Sequence, residues 1–170
     1  MRKIIMLFVI LLFLLCVSGC SGIAPMPEKM PPDFDFSIAW GVNKLNSYNS
    51  RTNLLIKDLG DQGSAQVDLA INNDKMNEIY DNFLTIDIIS YPHEVYIYGE
   101  GHFVSPSIEL EITVMYKWGS FTVKLPCANI IPDEEIVNGE ELLVVGNQII
   151  EYIKSTDEYQ SLPINETLYL

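Results

Sequence analysis

Ile108-Glu109-Leu110-Glu111-Ile112-Thr113-Val114-Met115-Tyr116, followed by Lys117-Trp118-Gly119 and then Ser120-Phe121-Thr122-Val123-Lys124-Leu125, is the stretch that decides the fold. Both arms alternate apolar and polar side chains with the two-residue period of a strand buried on one face, and a glycine-bearing turn separates them. Pairing Lys117 with Ser120 sets Tyr116 against Phe121, Val114 against Val123 and Ile112 against Leu125. One face of the hairpin is then wholly apolar, and the register follows from that agreement. Glu109, Glu111, Thr113, Thr122 and Lys124 fall on the solvent side.

Upstream, Asp33 to Val42 alternates in the same way and places Phe34, Phe36, Ile38, Trp40 and Val42 on one face. Asn43 to Ser50 reads as a polar connection. Arg51 to Lys57 and Ala65 to Ile71 read as paired strands around a loop bearing Gly60 and Gly63. Asn72 caps a helix predicted from Asn73 to about Thr85, with Met76, Ile79, Tyr80 and Phe83 on one stripe. A loop holding Pro92, Gly99, Gly101 and Pro106 follows, with a short strand at Val95 to Tyr98.

Downstream of the hairpin, Asn138 and Glu141 have the spacing of a capping box. They precede a helix whose stripe of Leu142, Val145, Ile149, Ile150 and Ile153 ends near Ser155. The tail from Thr156 offers Tyr159 and Leu162 as docking residues. Connections too short for parallel crossovers then predict an α+β two-layer sandwich, an antiparallel sheet of about five strands with two helices packed on it.

The N-terminus carries an address. Arg2-Lys3 precedes the apolar run Ile4 to Leu15, and Val17-Ser18-Gly19-Cys20 closes it. Ile4 to Val17 is fourteen residues, short of the roughly 20 that cross hydrocarbon, which favours a cleaved secretory signal over a membrane span. The box resembles the lipobox of bacterial lipoproteins, with Val17 where leucine is commoner. The resemblance implies cleavage before Cys20, a lipid on its thiol, and a place on the extracytoplasmic face of the cell membrane. Acyl chains on that one residue suffice for stable anchoring when there are two. The expected organisation is a signal peptide over 1–19, a lipidated Cys20 with a proline-rich tether over 20–32, and a single domain over 33–170. Read as an extended chain at about 3.1 Å per residue, the tether holds that domain away from the bilayer.

Removing the first nineteen of 170 residues leaves 151, enough for one domain but not for a two-lobed solute receptor. Arg2 and Lys3 leave with the signal, so eight basic residues face 23 acidic ones and the net charge moves from −13 to −15. Such a field repels nucleic acid, which is excluded as a partner. It keeps the domain soluble above an anionic surface.

Leu69-Ala70-Ile71-Asn72, the helix around Glu78-Ile79-Tyr80, the exit Asp87-Ile88-Ile89-Ser90-Tyr91-Pro92, and the ending Ile150-Glu151-Tyr152-Ile153-Lys154-Ser155 to Glu158-Tyr159-Gln160-Ser161-Leu162-Pro163 together resemble a group of small lipoproteins from Gram-positive bacteria. These motifs are packing and capping residues, and the group's function is uncharacterised. The resemblance therefore carries over no catalytic residue.

Chemistry has few footholds. Of three cysteines, Cys16 leaves with the signal and Cys20 is the lipid acceptor, so Cys127 stands alone without a disulfide partner. His93, Glu94, Glu100 and His102 lie within ten residues and supply imidazole and carboxylate. Their spacing matches no metal motif, and the reading is that no metal or cofactor is required. Asp58, Asp61 and Asp68 lack the ligand pattern of an EF-hand and read as turn residues. Asn165-Glu166-Thr167 has the form of a glycosylation sequon, here taken as chance. Serine-nucleophile and phosphate-loop motifs are absent.

Three functional expectations follow. The first is a non-enzymatic surface lipoprotein whose domain binds a protein or envelope component. The second is an enzyme built on His93, His102 and Cys127. The third is a small-ligand carrier with an aromatic pocket from Trp40, Tyr96, Tyr98 and Trp118.

Overall fold

The computed structural model describes residues 24–96, 108–117, 119–126 and 139–167. Strands β1 (Asp35–Val42), β2 (Asn46–Asn49), β3 (Leu54–Asp58) and β4 (Ser64–Asp68) precede helix α1 (Asn73–Thr85). Strands β5 (Ile108–Tyr116) and β6 (Gly119–Leu125), helix α2 (Glu140–Ser155) and the short helix α3 (Asp157–Gln160) follow. All strands belong to one antiparallel sheet in the order β4-β3-β2-β1-β5-β6. The chain is thus α+β, with six strands among the described residues where about five were expected.

The additional strand is β2, inside the stretch read as a polar connection. Asn46-Ser47-Tyr48-Asn49 has one large apolar side chain, Tyr48, so it carries no alternation to read. Pairing on both sides supplies what propensity lacks: Ile38 faces Tyr48 in β1, and Tyr48 faces Leu55 in β3. Asn43 and Lys44, both at positive φ, turn the chain between β1 and β2.

The hairpin's apolar face is as expected, but its register is shifted by two residues. Val114 faces Phe121, Ile112 faces Val123, Leu110 faces Leu125, and Tyr116 faces Gly119. The pairings Tyr116–Phe121, Val114–Val123 and Ile112–Leu125 do not form. A two-residue slip leaves every side chain on its own face, so face alternation could not detect it. The turn did the choosing. Lys117, at φ 48°, turns the chain directly after Tyr116, which pairs with Gly119. On the opposite face Thr113 and Thr122 share a 2.8 Å hydrogen bond, and Glu111 faces Lys124. Beyond β6, Val95 N–H donates to the Lys124 carbonyl at 2.9 Å, covering part of that edge. Where a strand was expected at Val95 to Tyr98, the described residues show bridges at Glu94, which pairs in parallel with Lys124, and at Tyr96; positions 97 and 98 lie outside the described residues.

Helix α1 runs as the sequence predicts, with the Asn72 side chain accepting from Lys75 N–H. Helix α2 begins one residue after Gly139, which caps it without a side-chain bond; Asn138 of the expected capping box lies outside the described residues. Buried side chains of β1, β5 and β6 join Ile79, Tyr80 and Phe83 of α1 and Leu142, Ile149 and Ile153 of α2 in one core. At its Phe36 end the core is aromatic. Phe34 meets Tyr80 edge-on at 4.8 Å, and Phe36 packs against Phe83 and Tyr48 at 6.0 and 5.6 Å. Residues 24–32, read from sequence as a tether, run against this end in the structure. Met26 and Met30 pack on the core, Tyr80 OH donates to the Pro27 carbonyl and Tyr116 OH to the Ala24 carbonyl.

Candidate functional site

The ligand-type residues picked out by sequence do not converge among the described residues. His93 is exposed, its Nδ1 2.9 Å from the Thr122 carbonyl and its ring 5.3 Å from Phe121. Glu94 accepts from Tyr96 OH. Glu100, His102, Cys127 and Cys20 lie outside the described residues, as do Tyr98 and Trp118 of the expected aromatic pocket. No group of three or more His, Cys, Asp or Glu side chains among the described residues is placed to hold a metal ion. Nor is any described helix long and apolar enough to cross a membrane.

The structure instead offers a cavity at the Trp40 end of β1. Alternation turns Trp40 inward there, and Leu110 of β5 faces Trp40 across the ladder. Helix α2 closes the other side with Leu143, Asn147, Ile150 and Lys154, whose spacing of four, three and four keeps them on one stripe. Sheet and helix leave about 390 Å³ between them, within the range of roughly 300–1,000 Å³ typical of small-ligand sites. Tyr159 of α3 and Asn165 of the tail complete the wall. Of the expected aromatic pocket, Trp40 lines this cavity, and Tyr159 adds a ring that the expectation did not include. Burial pushes its hydroxyl pKa up, so at neutral pH it is an uncharged phenol.

Lys57 and Asp58, on the same wall, are the buried charged side chains among the described residues, at 9% and 7% exposure. Lys57 shares the inward parity of Leu55 in β3, so its stem lies in the core layer and its Nζ reaches the cavity. There Nζ stands 4.3 Å over the Tyr159 ring and 3.4 Å from the Leu162 carbonyl. No described carboxylate forms an ion pair with it. Asp58 is differently placed: its Oδ1 accepts Gly60 N–H at 2.9 Å and its Oδ2 accepts the Asn165 amide at 3.3 Å.

The asparagines hold this wall together. Asn46 Oδ1 accepts Asp58 N–H at 3.0 Å while its Nδ2 donates to the Trp40 carbonyl at 3.4 Å. Gly41 allows that approach, because at φ +85° a Cβ would stand 2.9 Å from Asn46 Nδ2. The tail is seated by Gly60 at φ +61°, where a Cβ would overlap Thr167, and by Thr167 Oγ1 accepting Asp61 N–H. Asn165 and Thr167, two residues of the apparent sequon, thus form a turn in which Asn165 Oδ1 accepts Thr167 N–H. Of Asp58, Asp61 and Asp68, the first accepts Gly60 N–H within its own loop, the second meets the tail through its backbone N–H, and the third ends β4 opposite Leu54.

A second cavity of about 590 Å³ lies at the opposite end of β1, lined by Asp33, Asp35, Arg51 and Tyr116 among others. Its charges are spent on one another and on the backbone. Arg51 Nε donates to Asp35 Oδ2 at 2.9 Å, Ser50 OH to Asp35 Oδ1, and Lys117 N–H to Asp33 Oδ2.

Sequence pattern held one signal for the first cavity: a lysine at an inward position beside Leu55 in a short strand. The contributions of Tyr159 and Asn165 had none, since they depend on where the tail docks. Comparison with protein-family models, with curated proteins and with solved structures found no match.

Proposed function

We propose that this chain is a membrane-anchored extracytoplasmic lipoprotein, lipidated at Cys20, whose domain is a two-layer α+β sandwich that binds one small ligand non-enzymatically. The ligand sits between sheet and α2, against Trp40 and Leu110. The observation that carries the reading is the coincidence of two features. The buried charged side chains fall on the wall of a ligand-sized cavity that also presents Trp40, Leu110, Leu143 and Ile150. Lys57 has no carboxylate partner among the described residues, and burying a charge in that way is costly and is tolerated where function requires it. The lining described holds no serine, cysteine or histidine, which favours binding over nucleophilic chemistry. The anchor rests on the signal and the Val17-Ser18-Gly19-Cys20 box.

Two experiments test the two halves. Labelled fatty acid is expected in the wild-type protein and not in Cys20→Ser; label that survives the substitution removes the anchor. The neutral aromatic probe 3-phenylpropionamide is expected to bind one per chain by titration calorimetry and to shift the Trp40 indole resonance. Asn147→Trp, a bulky side chain at the exposed mouth, should block it. A folded protein that takes up no probe, or takes it up equally with the mouth filled, overturns the cavity as the site.

A further inference from the structure

We infer that the ligand of this cavity carries a single carboxylate on a compact apolar body, with the carboxylate seated on Lys57. The inference rests on the cavity being the binding site and adds the class of ligand it takes. A lysine has three N–H donors and no acceptor. Here the structure gives it one long hydrogen bond, to the Leu162 carbonyl at 3.4 Å, and one aromatic face, that of Tyr159. Neither is a counter-charge, and the residue as a whole is 9% exposed. An anion arriving from outside would make the charge-assisted bonds that the fold leaves unmade.

The surroundings narrow the anion. Glu109 and Asp58 share the wall with Lys57, and the whole chain is at −13. Those charges penalise a dianion such as a phosphate monoester more than a monoanion. A zwitterion gains little, because Asp58 already receives the Gly60 N–H and the Asn165 amide. Lys154 also lines the cavity, but it lies at the open rim and is paired with Glu151 at 3.0 Å. Lys57 is therefore the head-group partner, while Trp40, Leu110, Leu143 and Ile150 receive the apolar body.

The test uses the full mature chain in an uncharged detergent, titrated with three probes that share one body: 3-phenylpropionate, 3-phenylpropionamide and 3-phenylpropylamine. The carboxylate is expected to bind about tenfold more tightly than the amide, the order of effect of one charge-assisted hydrogen bond, and the amine most weakly. Lys57→Met should abolish the preference for the carboxylate over the amide; Lys57→Arg, which keeps the charge, should retain a carboxylate preference. A preference that survives Lys57→Met, equal binding of carboxylate and amide, or tightest binding of the amine each overturns the ligand class while leaving the cavity as a site. Failure of all three probes to bind a folded chain overturns the cavity reading itself.

Discussion

The two ends of β1 each open onto a cavity, and the smaller is the one proposed to bind a ligand. At the Asp35 end about 590 Å³ is bordered by Asp33, Asp35 and Arg51, every one of them engaged by a neighbour on the chain. At the Trp40 end about 390 Å³ is bordered by a buried lysine whose partners among the described residues are a ring face and one distant carbonyl. The contrast teaches that volume alone says little about binding. What distinguishes a site is polar capacity that folding has buried and not used.

The comparison can be broken by stability measurements as well as by ligands. The largest effect is expected at the packed end: Phe36→Ala, which empties the aromatic cluster, should cost about 3–5 kcal/mol in a denaturant melt. Lys57→Met at the open end should change stability by less than about 1 kcal/mol, or raise it, because an unpaired buried charge is replaced by an apolar chain of similar length. Equal losses at the two positions would show that Lys57 is a structural element and end the contrast.

Tyr48, between the two ends, provides a pH handle. Burial pushes its hydroxyl up to about 12, against about 10 in an unfolded chain. The folded state therefore holds this proton more tightly than the unfolded state does. The associated stability is fully present below about pH 10 and is lost as pH rises towards 12. Burial raises Tyr80 and Tyr116 as well, and they add to the same alkaline loss. Melts across this window should show a shallower decline in Tyr48→Phe. That variant should also lose about 1 kcal/mol at neutral pH with its hydrogen bond to the Leu69 carbonyl. An unchanged slope would place Tyr48 in a solvated environment and contradict its packing.

The smallest effects belong to the exposed ion pairs. Arg51→Gln breaks the pair with Asp35 at the larger cavity, where Arg51 is 56% exposed, and should cost no more than about 0–1 kcal/mol. It should leave probe binding unchanged. Glu111→Gln, which loses a 2.9 Å contact with Lys44 on the solvent face, should be within about 0.5 kcal/mol of wild type. Loss of probe binding in Arg51→Gln would move the site to the Asp35 end.

Much of the fold was legible because it is written in periods. The inward faces of β1 and β5, the span of α1 and the stripe of α2 all follow from spacing of apolar residues. The hairpin register was not legible, since a slip of two preserves the faces and only the turn at Lys117 distinguishes the alternatives. β2 was missed because its sequence is polar and its pairing partners make the strand. For the site, Trp40 was named and Lys57 was overlooked. Lysine is a common residue, and only its inward place in β3 beside Leu55 marks Lys57 out. Tyr159 and Asn165 reach the cavity through tertiary docking, which no local pattern records.

The sheet order also fixes how the chain must find its structure. Strands β1 to β4 are joined by short local turns, and β5 with β6 closes through its own turn. The two units meet in one seam that pairs Asp35 with Met115 and Val42 with Ile108. Such a seam closes a long loop containing α1 before any of its pairs can form, and non-local pairing of this kind slows folding towards milliseconds or longer. Until it zips, Phe36, Ile38, Ile112 and Val114 are bare. Stopped-flow refolding should therefore place the slow step at the seam, with Ile38→Val and Ile112→Val slowing refolding, and changes confined to the α3 tail speeding unfolding instead.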